Sequence, residues 1–193
     1  MPSEGLNLGQ MCNAVQASGA SPNLFRVEGN HLQARILLRS AILSGFAPVL
    51  AISNPELGGH AVAAVGLKSH VNAPEPSDHF HEHLIAGIYI HDDRWGPNLR
   101  CTFRVPSSGS GSLGLDVKLR GTTDCEEWDL HYILVPMHPK IRLSFADLES
   151  ISSDILQTLW AIHKLHIDGR VDVDKVPVGF DCRIIRGHQY VER

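Results

Sequence analysis

Gly58-Gly59-His60-Ala61-Val62-Ala63-Ala64-Val65-Gly66 and, after it, Ile88-Tyr89-Ile90-His91-Asp92-Asp93-Arg94-Trp95-Gly96-Pro97 decide how this chain is read. The first is a run of small and β-branched residues behind a Gly-Gly turn, which predicts a short strand with His60 at its mouth. The second completes a strand, Leu84 to His91, that is stopped by Asp92-Asp93-Arg94-Trp95-Gly96-Pro97. Two-residue alternation puts Asp92 on the face of Ile88 and Ile90, and Asp93 on that of Tyr89 and His91. Pairing of the two strands would bring His60 and a carboxylate to the same end of a sheet. An imidazole held by a carboxylate is the orienting half of a nucleophile–base–acid triad, because the carboxylate fixes the tautomer and stabilises the imidazolium. Asp92 is the favoured partner and Asp93 the alternative.

Outward from this pair the elements follow from capping and periodicity. Asn7-Leu8-Gly9-Gln10 is a capping-box start, and Leu8, Met11, Cys12 and Val15 then share one helical stripe that ends at Gly19. A second helix starts at Asn30 with Gln33, with Leu32, Ile36, Leu37 and Ile42 facing inward until Gly45. Phe46 to Ile52 reads as a buried strand, with Pro48 at its start or on a sheet edge. Further strands are expected at Leu99 to Val105, Leu115 to Leu119 and His131 to Val135, and Lys140-Ile141-Arg142 reads as a solvated strand. Ser144-Phe145-Ala146-Asp147 opens another helix with Leu148, Ile151, Ile155 and Leu159 inward, followed from Asp168 by short strands and turns. Ser107 to Ser112 is a plain linker: it lacks the Lys-Ser/Thr ending of a phosphate loop. The predicted layout is α+β, with N-terminal helices packed on an antiparallel sheet. Residues 1–143 form the main domain, and residues 144–193 a helix and short strands packed on it.

The same pieces, in this order, resemble a known family. Gly5-Leu6-Asn7-Leu8 opening a helix, the helix Leu32 to Leu43, Ser44-Gly45-Phe46-Ala47-Pro48-Val49-Leu50, the His60 strand and the Asp92 strand resemble papain-like cysteine peptidases, in particular the bacteriocin-processing peptidase group. The likeness covers roughly residues 5 to 105. It implies a papain-like fold and thiol-mediated cleavage or transfer at an amide bond, with His60 as general base and acid and Asp92 orienting it. In proteins of that kind the nucleophilic cysteine opens a helix ahead of the one that starts here at Asn7, after an oxyanion-hole Gln, and this chain is expected to lack that helix. Cys12, just after Gln10, is then the candidate thiol near that end, although it falls mid-stripe rather than at a helix N-terminus, where the dipole would depress its pKa. Cys101 alternates with Leu99 and Phe103 and reads as core. Cys125 is flanked by acidic residues, which disfavour a thiolate. Cys182 carries no match.

Composition bounds the alternatives. The chain has 193 residues, a net charge of -4, 43% apolar and 20% charged residues. These values suit one folded domain and supply no basic field for nucleic acid or anionic membrane. Met1-Pro-Ser-Glu has neither the basic start nor the apolar stretch of a secretory signal. The four cysteines contain no CxxC pair, so reduced thiols and a cytoplasmic setting are expected. The expected partner is a peptide or protein, with no cofactor. Two other readings stay open. One is a binding or structural module that keeps the fold without the chemistry. The other is a metal-binding protein: of twelve histidines five lie between His60 and His83, and Asp78-His79-Phe80-His81-Glu82-His83 places imidazoles at i, i+2 and i+4.

Overall fold

Period-two alternation runs through most of the chain after Pro48, and in the computed structural model it builds one antiparallel sheet. The structure describes residues 6–69, 85–105 and 111–141, and beyond them Asp147, Ser150, Ile151, Asp154, Ile155 and Gln157. Helix α1 (Leu8–Ala17) is capped by Asn7, whose side chain accepts from the Gln10 amide while Gln10 reaches back to the Asn7 amide. Strand β1 (Ser21–Arg26) follows, then α2 (His31–Leu43), capped by Asn30. The remaining strands are β2 (Val49–Asn54), β3 (Gly58–Ser69), β4 (Ile85–Asp92), β5 (Gly96–Arg104), β6 (Gly114–Lys118) and β7 (Cys125–Met137).

The sheet order is β1-β7-β2-β3-β4-β5-β6, and β6 pairs back onto β7. The 13 residues of β7 make this closure possible. Its Cys125–Asp129 half pairs with β6 and its Tyr132–Met137 half with β1, both along one edge, while β2 occupies the other edge from Asp129 to Leu134. Strands β2 to β7 therefore form a closed six-stranded barrel, with β1 extending the wall beyond β6. Leu50, Ile52, Val62, Ala64, Ile88, Ile90, Leu99, Cys101, Leu115, Val117, Trp128 and Leu130 belong to the single core, joined by Ala34, Leu37, Leu38 and Ala41 of α2. Each fully buried aliphatic side chain contributes about 1.5–3 kcal/mol through removal from water. Closure also leaves no unpaired edge among the six barrel strands.

This architecture overturns the papain-like α+β expectation. That layout needed an open sheet whose apolar face is covered by a layer of helices. Here the sheet curls until β6 meets β7, and the inward faces cover one another. Helix α1 has no fully buried residue: Leu8, Met11, Cys12 and Val15 form its less exposed stripe, but all keep contact with solvent. In α2 the buried face is Ala34, Leu37, Leu38, Ser40 and Ala41, whereas Leu32, expected inward, is 46% exposed. Strand β1 carries no alternation that separates it from a loop and was missed for that reason. Lys140 lies in a turn and Ile141 just after it, not in a strand, and Arg142 lies outside the described residues. Asp147, Ile151 and Ile155 have helical backbone, as expected from Ser144 onward, yet Ile151 and Ile155 are exposed. Leu148, Leu159, the His79–His83 run, Ser107–Ser110 and everything after Gln157 lie outside the described residues.

Candidate functional site

His60 reaches its position through a turn built by Asn54. The Asn54 side-chain oxygen accepts from the backbone amides of Glu56 (2.7 Å) and Leu57 (2.9 Å), and its Nδ2 donates to the Glu127 carbonyl at 2.7 Å. Gly58 then takes φ +80, a left-handed value that glycine adopts without a Cβ penalty, and the chain enters β3. His60 pairs with Ile52 across β2 and alternates inward with the buried Val62 and Ala64. It therefore closes one end of the barrel, with its ring 5.8 Å from the Trp128 ring and tilted by 45°.

Asp92 reaches the same end at the last position of β4, on the buried face of Ile88 and Ile90. Its Oδ1 accepts from the Arg94 amide at 2.7 Å, which turns the chain toward β5, and Arg94 Nη2 donates to Oδ2 at 3.2 Å. Arg94 also donates to Glu126 Oε2 at 3.1 Å, and that oxygen accepts from Trp128 Nε1 at 3.0 Å. The guanidinium carbon lies 5.1 Å from the Trp128 ring centroid, within cation–π range. His60, Asp92, Arg94, Glu126 and Trp128 thus form one continuous circuit. Burial works against ionisation of Asp92, but the side-chain and backbone hydrogen bonds from Arg94, its charge and the nearby His60 outweigh it, holding the carboxyl below its ordinary range.

His60 Nε2 stands 3.3 Å from Asp92 Oδ2 and 3.4 Å from Asp93 Oδ1. Both aspartates weighed as its partner are therefore within ion-pair distance, one 2% and the other 82% exposed at the side chain. Nε2 itself is buried and makes no hydrogen bond, so neither carboxylate is well placed on its N–H axis. With Nε2 turned to the carboxylates, Nδ1 is the nitrogen left to take a proton from another group.

Outside this pair opens a cleft of about 810 Å³. His60, Gly59, Ala61 and Asp93 form one wall with Ala51 and Ile52, and the start of α1 forms the other through Leu6, Asn7, Leu8, Gly9 and Met11. The amides of the first helical turn and the positive end of the helix dipole thus border the cleft. Cys12 is not among the lining residues; it is half-buried on α1, next to Met11. The structure brings together His60, Asp92 and Asp93 and leaves Cys12 outside. Cys101 is buried in the core, where loss of solvation pushes its thiol strongly upward, and Cys125 is exposed. Trp95 is 41% exposed at the turn beside Asp92.

Nothing local in the chain signals that Arg94, Glu126 and Trp128 act together, because Glu126 and Trp128 arrive from β7. Sequence reasoning also missed a second contact chain. Ser53 Oγ lies 2.7 Å from His131 Nε2, and His131 Nδ1 lies 3.5 Å from Glu28 Oε1, a carboxylate already held by Arg26. His131 falls at the register shift between β2 and β7, where a bulge re-aims its side chain. None of these residues lines the cleft, and the chain ties β2 and β7 to the segment after β1.

No family model, no curated protein and no solved structure matches this chain. Among the described residues no helix is long and apolar enough to cross a membrane.

Proposed function

We propose that the cleft beside His60 is the acid–base part of a site acting on peptide or related amide bonds. The observation that supports this most is the 3.3 Å approach of His60 Nε2 to a buried, ionised Asp92 at the wall of an open cleft. In this reading the nearby Asp92 charge stabilises the protonated form of the imidazole. His60 Nδ1 takes the proton of the attacking thiol and returns it to the leaving amine. The Leu8 and Gly9 amides, which the Asn7 cap does not engage, supply donors toward the oxygen on which charge develops. The thiol comes from outside the described part of this chain or from a partner chain, since Cys12 does not line the cleft. Three free cysteines among the described residues suit a reducing compartment, and we place the protein in the cytoplasm on that ground.

The second reading is a binding module that accommodates a peptide in the same cleft without turnover. The apolar lining from Leu6, Leu8, Met11 and Ile52, together with the position of Cys12, supports it. A mixed library of fluorogenic peptide amides separates the two. Turnover that falls by about 10²–10⁴ in Asp92→Asn and disappears in His60→Ala is the result expected for catalysis. Turnover that His60→Ala leaves intact removes the catalytic reading, and saturable peptide binding without turnover selects the binding module.

A further inference from the structure

The three groups that converge at the barrel end have a donor set the acid–base reading does not exhaust. His60 Nε2 and one oxygen each from Asp92 and Asp93 lie within 4.8 Å of one another. A cation held about 2.0–2.1 Å from tetrahedral ligands separates those ligand atoms by about 3.3–3.4 Å. The two separations from Nε2 are 3.3 and 3.4 Å. Nε2 is buried and without a hydrogen bond, which leaves a polar atom unsatisfied where a cation would satisfy it.

The surroundings supply the rest of what such a site needs. Asp92 is fixed from behind by the Arg94 amide and guanidinium, an outer-shell support of the kind that orients ligating carboxylates. Asp92 and Glu126 share that guanidinium and Asp93 adds a third carboxylate beside His60, so the cluster is net anionic. Asp93 is exposed, and together with His60 it lines the cleft, which provides an access route and room for further ligands. One imidazole with two carboxylates suits a first-row transition-metal dication better than magnesium or calcium, which favour oxygen donors alone.

We propose that His60, Asp92 and Asp93 form a three-ligand site for a divalent transition-metal ion of the zinc class, with at least one position open to the cleft. The site stands on its own geometry and holds whether or not His60 does acid–base work. Ligation through Nε2 requires a neutral ring whose proton sits on Nδ1. An occupied site and proton uptake at Nδ1 therefore exclude each other, and metal would switch the base off.

The test is calorimetric titration of Zn²⁺ into the full, untagged chain at neutral pH, with Co²⁺ absorption as a spectroscopic readout. Both are run in a background with His79→Ala, His81→Ala and His83→Ala, so that uptake by that segment does not count. One saturable equivalent with cobalt bands is expected. His60→Ala should abolish it, and Asp93→Asn should weaken it about tenfold or more. Asp93 is exposed, so the Asp93→Asn variant keeps the fold, and its unchanged metal-free melting temperature checks this. Absence of saturable uptake, or uptake indifferent to both substitutions, overturns the proposal. Because no substrate is involved, that failure is distinct from failure of the amide-bond reading.

Discussion

Asp92 Oδ2 lies 3.3 Å from His60 Nε2, at the point where the end of β4 meets the start of β3. The pair is held at both ends: the His60 ring rests near Trp128, and Asp92 is gripped by Arg94. Since Arg94 is tied through Glu126 to the same Trp128, the geometry of the pair depends on β7 as much as on its own two strands.

Arg94 is the support whose loss is easiest to measure. Arg94→Met keeps much of the stem over Trp128 but leaves the buried Asp92 without its guanidinium. Hydrogen bonds to charged groups contribute about 1.5–3 kcal/mol, and the partial exposure of Arg94 puts this case near 2 kcal/mol. Urea unfolding is expected to show that loss with an unchanged m-value. A change below about 0.5 kcal/mol would show that the Asp92 carboxylate is adequately held by the Arg94 amide alone.

The depressed Asp92 carboxyl has a defined pH signature. Its native value lies below the unfolded value, about 3.9, so the unfolded chain binds this proton at higher pH. The stabilisation is complete above that value and is lost as pH falls through the native one. Asp92→Asn should be less stable than the wild type at about pH 6, with the difference shrinking below about pH 4. Denaturation midpoints across pH 3 to 6 check this, and a gap that widens toward acid contradicts it.

Gly87 marks a close approach of β4 to β5. A Cβ there would overlap the Cys101 carbonyl oxygen and lie 3.0 Å from both the Cys101 carbonyl carbon and Thr102 Cα. Backbone cannot step aside as a flexible side chain can. Gly87→Ala is expected to cost about 3 kcal/mol and to lower the melting temperature by about 6–12 °C. Gly66→Ala, whose nearest neighbour would be Tyr89 Cδ2 at 3.4 Å, is the matched control and should change stability by less than about 1 kcal/mol.

Cys12 offers a direct check on the placement of the thiol. Its iodoacetamide alkylation rate between pH 5 and 9, read by mass spectrometry, is expected to be the same in the wild type and in His60→Ala. Fast labelling at acidic pH that vanishes in His60→Ala would instead show a thiolate–imidazolium pair, and would require α1 to move so that Cys12 enters the cleft.

The sequence by itself determined the two capped helix starts and the alternation of most strands, β1 excepted, and it predicted that His60 and Asp92 meet at one end of the sheet. Asn7 and Asn30 mark helix starts through their own side-chain hydrogen bonds, and Ile88, Ile90 and Asp92 share a face through strand geometry alone. These signals are short in range, so they survive without knowledge of the fold. The tertiary structure decided everything that depends on which strands pair. Alternation reads the same in an open sheet covered by helices and in a closed barrel, and the β6–β7 ladder selects the barrel. It also brings Glu126 and Trp128 of β7 to the His60 end and leaves Cys12 outside the cleft. A side chain's type fixes what chemistry it can do, whereas its partners are set by the closure of a sheet between residues far apart in the chain.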